Sequence, residues 1–160
     1  SDSATGMPPD PSKPMATSIS HSPEETLAIG EAWGRIAHPG WLIGLSGDLG
    51  SGKTHLVKGI ARGLGIATRV LSPTFVLVCE YLEGRLPLYH LDLYRLETAD
   101  QIVSAGLDAY LEPTRGVTVV EWFDRWHPTP GHIYPGFLRS VQLSCLDPTT
   151  RRLDYEDSGV

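Results

Sequence analysis

Apolar residues recur along this chain in two rhythms, and each predicts a different kind of element. Leu27, Ile29, Ala32, Trp33 and Ile36 fall at near-helical spacing, the period that lines one face of an α-helix. Ser22-Pro23-Glu24-Glu25 heads that run with a capping serine, a proline suited to the first helical position and the S-x-x-E capping box. The helix is expected to continue to about His38, where Pro39-Gly40 ends it. Trp41 to Ser46 is short and almost wholly apolar, which predicts a strand covered on both faces. Leu56, Val57, Ile60, Ala61 and Leu64 return to helical spacing, with Gly63 or Gly65 available to close that helix.

Val76 to Tyr81 and Leu86 to Leu93 are β-prone segments separated only by Leu82-Glu83-Gly84-Arg85, which predicts an antiparallel hairpin. Thr98 is placed to cap a helix carrying Ile102, Val103, Leu107 and Tyr110, with Gly106 interrupting its far end. Val117 to Val120 predicts a central strand with Glu121 at its carboxyl end, the edge at which open α/β sheets bind ligands. Arg139 to Leu146 and Arg151 to Tyr155 predict a last hairpin about Asp147-Pro148. Residues 1–20 hold four prolines, many hydroxyl residues and almost no large apolar side chains, so a disordered tail is expected there, followed by one domain over 21–157. These elements predict an α/β fold. The expected form is a three-layer sandwich with a mixed, mostly parallel central sheet and an antiparallel hairpin.

Charge narrows the partners. With 160 residues, a formal net charge of −6 and a pI near 5.4, the chain lacks the composition for a broad basic face that grips nucleic acid through counterion release. Cys79 and Cys145 lie in apolar strand-like runs without CxxC spacing and are expected to be buried free thiols. No apolar run approaches the roughly 20 residues that span a bilayer, and the first residues lack a signal-peptide pattern. No membrane association and a cytoplasmic location are the expectation.

Gly47-Asp48-Leu49-Gly50-Ser51-Gly52-Lys53-Thr54 satisfies the pattern G-x-x-x-x-G-K-S/T, between the predicted strand and helix that this pattern requires. Glycines at 47, 50 and 52 permit backbone conformations closed to residues with a Cβ, so that amides can face anionic oxygens. The start of the following helix adds partial positive charge. Lys53 can reach the β- and γ-phosphates of a nucleotide, and the Thr54 hydroxyl is placed to ligate magnesium. The alternative is a glycine-rich turn that merely joins strand to helix.

Phosphoryl transfer needs positioning and charge neutralisation, so further carboxylates are expected to hold magnesium and orient the attacking water. In Tyr89-His90-Leu91-Asp92-Leu93-Tyr94-Arg95, alternation puts His90, Asp92 and Tyr94 on one face and the leucines on the other. That polar face is either a site or the solvated side of a hairpin. Glu121, at a strand end before Trp122, is either a second site carboxylate or an acid meeting solvent.

Four blocks in order, Gly47 to Thr54, Leu71-Ser72-Pro73-Thr74-Phe75, His90-Leu91-Asp92-Leu93-Tyr94-Arg95-Leu96 and Val120-Glu121-Trp122, resemble the motifs of the TsaE (YjeE) family. With Ser22 to Thr26, the resemblance extends from about residue 22 to 122. It implies an ATPase using ATP and Mg2+ that partners the TsaD and TsaB proteins in bacterial threonylcarbamoyladenosine modification of tRNA, touching tRNA only through that complex. It also implies phosphate and magnesium contacts at Lys53 and Thr54, a catalytic or Walker-B-like carboxylate at Asp92, a second magnesium-shell carboxylate at Glu121, and Trp122 beside the site. Ser72 and Thr74 match a switch-like segment, or serve turn chemistry around Pro73. Thr26 matches a position near the nucleotide, or is a structural hydroxyl in a helix's first turn. Tyr94, Arg95 and Trp122 are candidates for a partner surface. Two other functions share the P-loop: a small-molecule kinase, and a nucleotide-dependent interaction module whose hydrolysis is incidental.

Overall fold

The computed structural model describes residues 15–48, 50–73, 76–126, 134 and 136–159. Along the chain run β1 (Met15–Ser20), α1 (Pro23–Ile36), β2 (Leu42–Ser46), α2 (Lys53–Gly63), β3 (Val78–Tyr81), β4 (Leu88–Asp92), α3 (Ala99–Ser104), β5 (Val117–Glu121), β6 (Leu138–Cys145) and β7 (Arg151–Ser158). Two short 3-10 helices, Asp108–Leu111 and Phe123–Arg125, complete the described elements.

One sheet takes the order β1-β7-β6-β2-β5-β4-β3. The central strands β6, β2, β5 and β4 run parallel to one another, while β7 and β3 pair antiparallel at the flanks. Central strands buried on both faces need apolar residues on both faces. On β2, Ile43 and Leu45 enter one core with Trp33, Leu56, Val57 and Ile60, whereas Leu42 enters a second core with Leu91, Leu93, Ile102 and Val120. Helices α1 and α2 thus cover one face, with α3 and the 3-10 helices on the other. The expected mixed, mostly parallel three-layer α/β architecture is the one observed.

Ser22 caps α1, its Oγ accepting from the Glu25 amide at 3.1 Å. Glu25 reaches back one residue beyond the usual capping-box position, accepting from the His21 amide at 2.8 Å. At the end of α2, Gly65 takes a φ of +80°. The Gly65 and Ile66 amides donate to the carbonyls of Arg62 and Ala61, the pairing of a Schellman motif. Gly63 has a different task from the closing role its position suggested. With Gly30, Gly34 and Gly59 it forms a seam between α1 and α2, where an added Cβ would lie 2.1 to 2.3 Å from a carbonyl oxygen of the facing helix.

Some expectations need correction. Residues 15–20, assigned to the disordered tail, form β1, paired antiparallel with β7 from Met15↔Glu156 to Ser20↔Arg151. Composition misleads here because an edge strand needs backbone pairing more than apolar burial, and Ser20 is the fully buried member of β1. Thr17 adds a hydroxyl bond to Asp154 Oδ1 at 2.6 Å. The tail expected over residues 1–14 lies outside the described residues. The helix begun at Thr98 ends at Ser104, and Gly106, at φ +78°, separates it from the 3-10 turn that carries Tyr110. Val103, read as an apolar-face position, is exposed. Cys145 is exposed and Cys79 partly buried, because β6 carries Cys145 past the packed interior toward the Gly50 carbonyl, 3.6 Å from its Sγ. Among the described residues, no helix is long and apolar enough to cross a membrane.

Candidate phosphate-binding cleft

The β2 strand runs straight into the glycine loop, and the loop runs into α2. Gly47, Gly50 and Gly52 have φ values of +148°, +79° and +100°, in the region that L side chains rarely adopt. A Cβ at Gly47 would also lie 2.6 Å from the Leu143 carbonyl oxygen and 2.9 Å from Ser51 Oγ. Gly52 caps α2 without a side-chain acceptor, and the first-turn amides of a helix have no intrahelical partner. Gly52, Lys53 and Thr54 line a cleft of about 460 Å³, a volume within the ordinary range for small-molecule sites.

Lys53 is buried. Its Nζ donates to the carbonyl of Gly47 and, at 2.9 Å, to that of Asp48, with Ser51 Oγ at 3.4 Å. Burial lowers its pKa from the ordinary 10.5, and the nearby carboxylates of Glu121, Asp124, Asp92 and Asp48 oppose that shift. The Trp122 ring covers the ammonium with its centre 4.3 Å from Nζ. Trp122 reaches this position from a left-handed backbone, φ 60° and ψ 40°, which is unusual for a bulky residue.

Parallel pairing brings the carboxylates to the same edge. Leu45 of β2 lies opposite Glu121 of β5, and Glu121 lies opposite Asp92 of β4. Both acids line the cleft and both are buried, at 4% exposure for Asp92 and 3% for Glu121. Neither is the solvated carboxylate that the sequence left open. Asp92 Oδ1 accepts from the Tyr94 amide at 2.9 Å, and Oδ2 accepts from Ser72 Oγ at 3.5 Å. Glu121 Oε2 lies 2.6 Å from His90 Nε2, and that imidazole is completely buried.

The cleft brings together Thr26, Gly50, Gly52, Lys53, Thr54, Ser72, Asp92, Glu121 and Trp122 of the residues singled out from sequence. Gly47, Asp48 and Ser51 shape the loop behind it. Leu49 and Thr74 lie outside the described residues. Thr26 has a structural tie as well, since its hydroxyl shares a buried 2.7 Å hydrogen bond with Ser20 Oγ.

Sequence reasoning missed the wall formed by Pro148, Thr149 and Arg151. Arg151 donates to the Gly50 carbonyl at 3.1 Å and to that of Asp147 at 2.9 Å. The only signal in the sequence was the Asp147-Pro148 turn. Its place at the cleft follows from β6 pairing parallel with β2, which brings the end of β6 to the edge where β2 delivers the loop. Among the described residues, no three or more His, Cys, Asp or Glu side chains group closely enough to hold a metal by themselves. Magnesium usually takes one or two carboxylates and fills its remaining positions with water and substrate phosphate, so the hydroxyl of Thr54 with Asp92 and Glu121 is a donor set of suitable chemistry.

This architecture is that of the P-loop NTPase-like α/β proteins. Within that class the chain belongs to the TsaE family: the family model described as "Threonylcarbamoyl adenosine biosynthesis protein TsaE" matches residues 20–150. The chain is 48% identical over 105 residues to the tRNA threonylcarbamoyladenosine biosynthesis protein TsaE of a Nostoc species, a match covering 64% of each. It is 50% identical over 101 residues to the protein of that name from Bacillus subtilis, covering 63% of this chain and 62% of the relative. The chain therefore spans under two thirds of the length of these two relatives. The Rickettsia bellii protein of the same name is 34% identical over 134 residues, covering 83% of this chain and 89% of that one. Among solved structures, Bacillus subtilis YdiB superposes with a TM-score of 0.71 at 33% identity, covering 92% of this chain and 88% of YdiB.

Proposed function

We propose that this chain binds MgATP in the cleft and hydrolyses it in support of tRNA threonylcarbamoyladenosine modification, acting on a complex of TsaD and TsaB. The observation that carries the reading is the meeting, at the carboxyl ends of the adjacent parallel strands β2, β5 and β4, of the glycine loop with Lys53, Glu121 and Asp92. The loop amides and the start of α2 would cradle the phosphates, and the Lys53 ammonium would leave the Gly47 and Asp48 carbonyls for the β- and γ-oxygens. Thr54, Asp92 and Glu121 would hold the magnesium ion, which supplies charge neutralisation on the phosphates. Asp92, buried and oriented by the Tyr94 amide, is the candidate to orient water toward the γ-phosphate. Ser72, whose hydroxyl lies 3.5 Å from Asp92 Oδ2, would sense that phosphate. The choice of ATP, the pathway and the two partners rest on family membership.

Calorimetric titration with MgATP, together with ATP turnover measured with and without TsaD and TsaB, tests the reading. Binding by the chain alone and stimulation by the partners are the expected results. Asp92→Ala and Glu121→Ala should reduce turnover more than nucleotide affinity, and Lys53→Ala should reduce both. Turnover indifferent to the partners would remove the pathway assignment. An efficiently phosphorylated small acceptor would favour a kinase, and undiminished tRNA modification by Asp92→Ala would favour an interaction module.

A further inference from the structure

His90 sits on the cleft side of β4, two residues before Asp92, yet it does not line the cleft. Its backbone lies opposite Val119 and that of Asp92 lies opposite Glu121, so the His90–Glu121 contact is a diagonal one across two strands. The 2.6 Å bond therefore draws the Glu121 carboxylate back along the sheet, toward the residue two positions before its directly opposed neighbour Asp92. Glutamate has more rotatable bonds than the strand backbone can fix, and a wholly buried ring bonded to Oε2 selects one arrangement. Oε1 has no hydrogen bond among the described residues, and Glu121 remains part of the cleft lining.

Packing alone does not explain a histidine here. The ring is completely buried, and Nδ1 has no hydrogen-bond partner among the described residues. A buried polar atom without a partner destabilises the fold relative to an apolar side chain of similar shape. Leu91 on the opposite face of β4, and Leu93 directly after the strand, show what this segment uses where packing alone decides. As Glu121 presents an acceptor, Nε2 is the donor, and the imidazole contributes a single directed bond to a single carboxylate oxygen.

We infer that His90 is a positioning residue, holding the Glu121 carboxylate in the orientation that engages the magnesium ion of a bound nucleotide. The inference rests on the proposed MgATP reading and adds a residue that acts through Glu121 without touching the ligand. Hydrogen-bond partners of ligating groups typically account for about 10- to 100-fold in metal affinity. The effect should therefore appear in the magnesium-dependent part of nucleotide binding.

The test compares affinity for ADP and for a non-hydrolysable ATP analogue, in magnesium and in excess EDTA, across wild type, His90→Phe, His90→Gln and His90→Asn. The phenylalanine variant should lose about tenfold or more of the magnesium-dependent gain while its affinity in EDTA stays at the wild-type level; its resistance to denaturant should fall, because Glu121 Oε2 is left buried without its donor. Glutamine, whose amide nitrogen can stand where Nε2 stands, should restore most of the gain; asparagine is too short and should resemble phenylalanine. If His90→Phe does not fold, the glutamine and asparagine pair decides the question. A full magnesium gain in His90→Phe or His90→Asn overturns the inference, as does an equal fall in EDTA and magnesium, which would mark a structural role. A wild-type protein that binds nucleotide no better with magnesium than without would sink the MgATP reading itself, a result distinct from any ranking of the variants.

Discussion

The ammonium of Lys53 lies 4.3 Å from the centre of the Trp122 ring while donating to the carbonyls of Gly47 and Asp48. A buried cation is costly unless paired, and here loop dipoles and a ring face carry that load in place of a carboxylate bond. Those carbonyl bonds are the ones a triphosphate would have to outcompete. Lys53→Met should consequently leave the denaturation midpoint unchanged or raised, since a thioether beside Trp122 needs no desolvated charge. Nucleotide affinity should fall by about 1.5–3 kcal/mol, the usual range for a charged hydrogen bond. Denaturant melts and calorimetry on the same preparations check both halves.

Burial holds the Lys53 pKa below 10.5, and two pH dependences of opposite sign follow. Between the lowered folded value and 10.5, the unfolded chain binds a proton that the folded chain has shed, so this group makes stability rise with pH. In the same window the ammonium that would meet phosphate disappears, and nucleotide affinity should fall. Measured in EDTA, so that magnesium hydrolysis plays no part, the affinity should begin to drop below pH 10.5 in wild type and stay flat over that range in Lys53→Met. Parallel curves for the two proteins would refute the assignment.

The sequence made the core of this site legible because local rules govern it. The glycine pattern needs only a strand before it and a helix after it, and period-two alternation put His90 and Asp92 on one face of β4. What it hid depends on which strands become neighbours. Arg151 reaches Gly50 across 101 positions of chain, and nothing near Arg151 reports that β6 will lie beside β2. Glu121 and Asp92 could be proposed singly, but their opposition in register is a property of the finished sheet. Met15–Ser20 was missed for a related reason, since its partner strand lies at the far end of the chain.

The glycine seam offers a test whose sign differs from helix propensity. Gly→Ala within an exposed helix normally stabilises by about 1 kcal/mol. At Gly59 a Cβ would lie 2.1 Å from the Leu27 carbonyl oxygen, and at Gly30 2.3 Å from that of Leu56. Backbone cannot rotate away as a side chain can, so α1 and α2 must separate. Each Gly→Ala variant should lose about 3 kcal/mol, at the upper end of overpacking penalties. Urea denaturation reads the loss directly, and stabilisation by either variant would show that the helices do not approach this closely.

Arg139 provides the complementary case, a side chain whose removal should harm the fold while sparing the cleft. It lies opposite Asp157 across β6 and β7 and bonds it in bidentate fashion at 2.7 and 2.9 Å. The guanidinium also packs on Trp33, Trp41, Phe137 and Tyr155, between 4.6 and 5.7 Å from their ring centres. Lysine can supply the charge but neither the planar fork nor the flat stacking surface. Arg139→Ala should cost about 3–5 kcal/mol, the range for breaking a buried pair, with the lower end favoured because Asp157 keeps some solvent contact. Arg139→Lys should recover less than half of that loss. Arg139 pairs with Ile43 near the start of β2, whereas the glycine loop follows the end of that strand. Nucleotide affinity of the folded fraction should therefore remain at the wild-type value, and a fall in affinity matching the fall in stability would mean that the two ends of β2 are coupled.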